Sequence, residues 1–126
     1  MKRVVAAFAL LAVAVSVAVW SGYIFNREMS FFETELYKLI LISENSSDEE
    51  LTEETEKIIL NWNSTLGILR SVVLHEGIDE LNRNISSLSQ IIKYLDREQM
   101  KEKCIEAINQ IASLKSCEKI SFENIL

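Results

Sequence analysis

The feature that most constrains this chain is an apolar run near its N-terminus. Residues 4–25 contain no charged side chain, and two cations, Lys2 and Arg3, precede them. About 20 apolar residues in a helix span the hydrocarbon core of a bilayer. Trp20 and Tyr23 lie toward the end of the run, where amphipathic rings favour the membrane–water interface. The run therefore predicts a transmembrane signal anchor over residues 1–25.

A cleaved signal peptide is the alternative interpretation of the same run. Six alanines, six valines and only two leucines make it weakly hydrophobic for an anchor, and Ser16-Val17-Ala18 resembles a small-x-small cleavage site. The run is longer than the roughly 7–15 residues of a signal-peptide core, which favours an uncleaved anchor. A buried soluble helix is disfavoured, because a helix that is apolar all round needs a large core to cover it.

Charge is distributed unevenly about this run. Two of the 13 basic residues precede it and all 19 acidic residues follow it, so residues 27–126 hold eleven basic and 19 acidic side chains, a formal charge of −8. Cations before an anchor favour a cytoplasmic N-terminus, which predicts a single-pass protein of the cell membrane with an extracytoplasmic C-terminal domain. An acidic domain repels nucleic acid, so we expect no nucleic-acid partner.

The scarcity of helix breakers predicts an all-α fold. The chain has no proline and three glycines, a composition that favours long helices with short joints. Nothing breaks the helix after the anchor, so we expect it to continue as a stalk helix over residues 26–44. Apolar residues at helical spacing predict three more helices, over residues 48–75, 78–95 and 97–116. Short joints favour antiparallel neighbours, so residues 26–126 are predicted to form an antiparallel helical bundle, about four helices in total with the anchor and stalk.

Each predicted helix carries one apolar stripe that would face the bundle core. The clearest is in the third helix, where coiled-coil spacing of 3-4-3-4-3 joins Ile78, Leu81, Ile85, Leu88, Ile92 and Leu95. The first two helices have stripes of Phe32, Leu36, Leu39 and Ser43, and of Leu51, Thr55, Ile58, Trp62, Leu66, Leu69 and Val73. The fourth has Met100, Cys104, Ala107 or Ile108, Ile111 and Leu114. Ser47 with Glu50 fits a capping box, and Asp96 is a favourable N-cap.

The only histidine lies in the stretch SVVLHEGID, residues 71–79. His75 and Asp79 would be one helical turn apart with Glu76 between them, but zinc usually takes at least three protein ligands. A helix joint explains the stretch better: an imidazole favours a helix C-terminus, Gly77 can adopt the left-handed conformation, and Asp79 can begin the next helix. We expect no metal and no cofactor here. A weak ligand or interaction site at Trp62, His75, Glu76 and Asp79 is kept as a hypothesis.

The residues offer little for catalysis. A nucleophile needs a base nearby, yet there is one histidine, and Cys104 is predicted to point into the core, where its thiol stays neutral. Cys104 and Cys117 would be about 20 Å apart on one helix, too far for a disulfide. The acidic run of residues 48–56 lacks the loop that organises calcium ligands, so we interpret it as a solvated face. We expect no catalytic residue and no enzyme.

The order of several residues resembles an uncharacterised family of small single-pass membrane proteins from Gram-positive, often spore-forming bacteria. The similarity is carried by Trp62, His75, Ile78-Asp79, the heptad helix, a helix bearing Ala107, and the terminal Asn124-Ile125-Leu126. The chain departs from the pattern at Gly77 and by ending in Leu rather than Phe. The resemblance implies a membrane-anchored helical domain of unknown function, with a multi-pass membrane protein as a plausible partner.

These observations lead to two functional hypotheses. The first is a membrane-anchored, non-enzymatic helical interaction module that contacts the membrane through residues 4–25. It would bind a membrane or envelope protein, or self-associate as a homo-oligomer. The alternative is a small-ligand or ion sensor with a site near His75. A concave pocket at His75 would favour the sensor.

Overall fold

Four helices make up the part of the chain that the computed structural model describes, residues 1–72 and 76–125. They are α1 (Lys2–Asn45), α2 (Asp48–Val72), α3 (Glu76–Lys93) and α4 (Arg97–Ile125). α1 and α3 each pack against both α2 and α4. Ion pairs join Lys101 to Glu44 and Lys115 to Glu33, so α4 runs antiparallel to α1. The predicted all-α fold of packed helices is confirmed.

α1 is one unbroken helix of 44 residues with two different environments. Its first part is exposed on all sides, with apolar side chains such as Phe8 and Leu11 more than half accessible. From Ile24 onward one side of the helix is buried in the bundle. By length and composition, α1 could cross a membrane.

The boundary between these two parts lies earlier than the sequence suggested. Ile24 and Phe25, which we assigned to the anchor, are buried with the bundle core, as is Met29. Hydrophobicity alone could not separate the two parts, because apolar residues occur in both. The exposed apolar stretch is therefore residues 4–23, which at 1.5 Å per residue still rises about 30 Å.

The two ends of the bundle differ in what they contain, and we name them accordingly. The near end is where the exposed part of α1 enters and where α4 finishes. The far end holds the turns that join α1 to α2 and α3 to α4. The length of α1 from Phe25 to Asn45 separates the ends by about 30 Å.

The predicted core stripes are confirmed at nearly every described position. The buried set includes every α1 and α4 residue of the predicted stripes and adds Ile91 from α3. Leu66 is half-buried and packs against the core, and Val73 lies outside the described residues. Leu95 is the exception: it was expected inside and is 40% exposed. α3 ends at Lys93, so Leu95 belongs to the far-end turn.

Both predicted helix starts at the far end are confirmed by hydrogen bonds. The Glu50 backbone N–H donates to Ser47 Oγ at 3.3 Å, and the Gln99 N–H donates to Asp96 Oδ1 at 3.1 Å. Two other bounds differ from the prediction, and the predicted end of the second helix at residue 75 lies outside the described residues. α3 begins at Glu76 rather than residue 78, and α4 continues to Ile125 rather than ending near residue 116. The extension of α4 runs toward the near end, alongside the buried start of the α1 stripe.

Candidate functional site

Part of the stretch that suggested a ligand site lies outside the described residues, so that site stays a prediction. His75 lies outside the described residues, and Glu76 is the first residue of α3. Asp79 accepts a hydrogen bond from Arg70 Nη2 at 3.2 Å, an ion pair between α2 and α3 in which both side chains are more than half exposed. Trp62 lies two helical turns before Arg70, buried inside the bundle. Trp62 and Asp79 therefore do not face a common cavity.

Gly77 has a different role from the one predicted. We expected the left-handed conformation, but Gly77 is helical, within α3, and has no positive φ. Its α-carbon faces Leu114 of α4 so closely that an added β-carbon would collide with the leucine side chain. The missing side chain lets α3 and α4 approach each other at the near end. This role of Gly77 depends on Leu114, 37 positions later in the chain, so the local sequence did not reveal it.

Trp62 lies within the apolar packing of the bundle. It is fully buried and meets the Phe32 ring edge-on, with centroids 5.1 Å apart and planes at 82°. Its Nε1–H donates to Asn82 Oδ1 at 2.8 Å, and Ser86 Oγ lies 3.4 Å from the same oxygen. The ring thus joins α2 to α1 by packing and to α3 by a hydrogen bond, which satisfies its one polar group.

The two thiols differ sharply in environment. Cys104 is completely buried, and burial raises the pKa of its thiol to about 12, because the thiolate would lose its hydration. A thiol with that pKa stays protonated near neutrality and is a poor nucleophile. Cys117 is exposed near the end of α4. Within the described residues, no group of three or more His, Cys, Asp or Glu side chains is placed to hold a metal ion.

Arg97 ties the two turns of the far end together. Its Nη1 donates to the Ser43 carbonyl at 2.8 Å, and its Nη2 donates to the Ser46 carbonyl at 2.9 Å and to Asp48 Oδ1 at 2.8 Å. These carbonyls close α1 and lack intrahelical partners, so a guanidinium stabilises them by charge and by hydrogen bonding. Sequence reasoning missed Arg97, because the groups it caps lie about 50 residues earlier in the chain.

A shallow open depression lies beside this junction. It is lined by the first turns of α2 and by the α3–α4 turn, through Asp48, Glu49, Thr52, Glu53, Glu56 and Leu95. Leu95 has a φ of 51°, and its neighbour Tyr94 is 81% exposed. An l-residue with a β-carbon is strained by about 1–2 kcal/mol in that conformation, where glycine is usual. The sequence predicted a solvated acidic face here, placed Leu95 in the core and did not single out Tyr94.

The structure defines the class of protein: an antiparallel four-helix bundle whose first helix extends beyond the bundle as an exposed apolar segment. The family described as "Domain of unknown function (DUF4363)" matches residues 19–125, and the chain belongs to that family. The match begins five residues before the first buried position of α1 and ends with α4. No curated protein and no solved structure matches the chain.

Proposed function

We propose that the protein is a membrane-anchored, non-enzymatic interaction module that binds a membrane or envelope protein. The observation that carries this proposal is the continuity of α1. One helix supplies the exposed apolar segment and also a buried side of the bundle, with no break at the boundary between Tyr23 and Ile24. An anchor of this kind confines the bundle to the membrane surface and raises its effective concentration near a membrane-bound partner.

The interior of the bundle supports a binding role over a chemical one. Trp62, the largest buried side chain, has its polar group satisfied, and the buried thiol of Cys104 is held neutral. Every buried side-chain nitrogen or oxygen in the described part of the chain has a hydrogen-bond partner. Polar groups in active sites are often left strained or without a hydrogen-bond partner, whereas these groups form hydrogen bonds within the bundle. The surfaces that remain available are the outer faces of the helices and the far end.

We further propose that the chain crosses the cell membrane once, with the N-terminus in the cytoplasm and the bundle outside. The two cysteines make a built-in test. In intact cells a membrane-impermeant maleimide should label Cys117, which is exposed, while Cys104 should react only after denaturation. A Cys117→Ala variant supplies the background. Labelling of Cys117 only after the membrane is permeabilised would place the bundle in the cytoplasm and overturn this orientation.

Partner binding is tested on the full chain in its native membrane. Chemical crosslinking followed by detergent extraction should give a reproducible adduct with one other protein. A control chain keeps the anchor, residues 1–23, but carries an unrelated helical bundle, so adducts that come from the anchor alone can be subtracted. Recovery of monomer alone, at several crosslinker lengths, would refute the interaction module. Recovery of the chain crosslinked only to itself would make self-association its function.

A further inference from the structure

The far end exposes apolar side chains in a place where turn residues are ordinarily polar or small. Tyr94 is 81% exposed and Leu95 is 40% exposed, next to each other in the α3–α4 turn. Leu95 adopts a backbone conformation that Gly or Asn would adopt at lower cost. A strained, solvent-facing leucine adds little to the stability of the bundle, so its placement suggests a role in binding.

The surroundings of Leu95 are strongly acidic. The depression that it lines also carries the carboxylates of Asp48, Glu49, Glu53 and Glu56. Asp48 is paired with Arg97 at 2.8 Å. The other three form no ion pair with any cation in the part of the chain that the structure describes. An apolar contact rimmed by unneutralised carboxylates is complementary to an apolar side chain flanked by cations.

The position of this surface restricts which kind of partner can reach it. It lies about 30 Å from the level of Phe25, the full length of the bundle. A partner that stayed within the membrane would not reach it. The occupant therefore belongs to a part of a protein that stands well clear of the bilayer.

We propose that the far-end surface, formed by Tyr94, Leu95 and the carboxylates of Glu49, Glu53 and Glu56, docks a basic segment of an extracytoplasmic protein region. That segment presents one large apolar side chain, which covers Leu95 and Tyr94, with Lys or Arg residues on either side facing the carboxylates. This inference rests on the proposed function, for which it names the surface and the chemistry of the partner.

The test uses two exposed tyrosines in the full chain in native membranes. A photoreactive phenylalanine analogue replaces Tyr94 at the far end or, as the matched control, Tyr37 on the outer side of α1, which is 55% exposed. Only the Tyr94 position should give a discrete adduct. Peptide mapping of that adduct should place the crosslink beside an apolar residue flanked by Lys or Arg.

Two sets of variants separate docking from folding. Glu53→Lys with Glu56→Lys should lower the adduct yield about tenfold, whereas Glu80→Lys with Glu102→Lys, an equal charge change elsewhere on exposed helix faces, should leave it unchanged. Leu95→Asn suits the left-handed backbone but removes the apolar contact, so the adduct should fall severalfold while the melting temperature stays within a few degrees. If Leu95 had only a structural role, the adduct yield and the melting temperature would fall together.

Several outcomes would overturn the inference. They are an adduct that survives charge reversal, a crosslinked segment that is acidic or uncharged, and an adduct with a second copy of this chain. A discrete adduct from Tyr37 with none from Tyr94 would also overturn it while leaving the interaction module standing. If neither position yields an adduct and chemical crosslinking also recovers only monomer, the proposed function fails together with this inference.

Discussion

The two ends of the bundle hold α1 in place by different means. Toward the near end the closest contacts of α1 are apolar: Phe25 and Met29 are buried and Phe32 meets Trp62, while the ion pair of Glu33 with Lys115 is long, at 3.9 Å. At the far end polar contacts add to the buried apolar ones, since the guanidinium of Arg97 joins two carbonyls and a carboxylate. The apolar contacts are insensitive to salt, whereas exposed charge pairs are screened by it. The two ends should therefore respond differently to mutation and to solution conditions.

The largest effect is expected from Trp62→Ala. Removing this ring leaves a cavity between α1 and α2 and should lower the free energy of unfolding by about 3–5 kcal/mol. Trp62→Phe is the matched control, since it keeps a ring but loses the hydrogen bond to Asn82, at a cost of about 1 kcal/mol, together with part of the packing. Denaturant unfolding measures both. Equal losses for the two variants would contradict this expectation, because they would show that a phenyl ring at this position recovers none of the packing energy.

Arg97→Ala should have the next largest effect. It removes three charge-assisted hydrogen bonds and should cost about 2 kcal/mol, while Arg97→Lys, which cannot reproduce the fork, should recover only part of that. The difference between wild type and Arg97→Ala should shrink at high salt. The difference between wild type and Trp62→Ala should not. A salt-independent Arg97 effect would contradict the comparison between the two ends.

Burial of Cys104 predicts a loss of stability at alkaline pH. Its pKa is raised from 9.0 to about 12 in the folded chain, so the thiol favours folding fully below pH 9 and progressively less as the pH rises toward 12. At pH 10 the loss should be about 1 kcal/mol, because only the unfolded chain is then ionised. Unfolding at pH 8 and pH 10 should show this term in wild type. It should be absent in Cys104→Ala, which serves as the reference for all other titrating groups.

Gly77→Ala should have the smallest net effect, because two terms oppose each other. The new β-carbon collides with Leu114, while alanine favours a helix over glycine by about 1 kcal/mol. We expect a net loss of less than about 1 kcal/mol. In a Leu114→Ala background the collision is gone, and the same substitution should become stabilising by about 1 kcal/mol. A substitution that destabilises equally in both backgrounds would show that Gly77 does not act through Leu114.

The features that could be predicted from the sequence are those fixed by neighbouring residues. Ser47 and Asp96 bond to backbone groups three residues away, so their capping roles are evident in the local sequence. The core stripes follow from spacing within one helix. The scarcity of breakers, which predicts long helices, is likewise a property of composition.

The features that were missed depend on residues far apart in the chain. Arg97 caps carbonyls of α1, and Gly77 accommodates a side chain of α4. In both cases the residue type is compatible with several roles, and only the packing of distant helices selects one. Leu95 was missed for another reason: it continues the heptad spacing, but α3 ends at Lys93 and the turn carries it away from the core.

Because α1 is unbroken, no flexible joint separates the bundle from the exposed apolar segment. In a bilayer, any tilt of that segment would be transmitted to the whole bundle. Transmembrane helices tilt by about 20° on average, and over the roughly 30 Å height of the bundle that angle displaces the far end sideways by about 10 Å. Bilayer thickness, which influences the tilt, would therefore influence how far the far end can reach across the membrane surface.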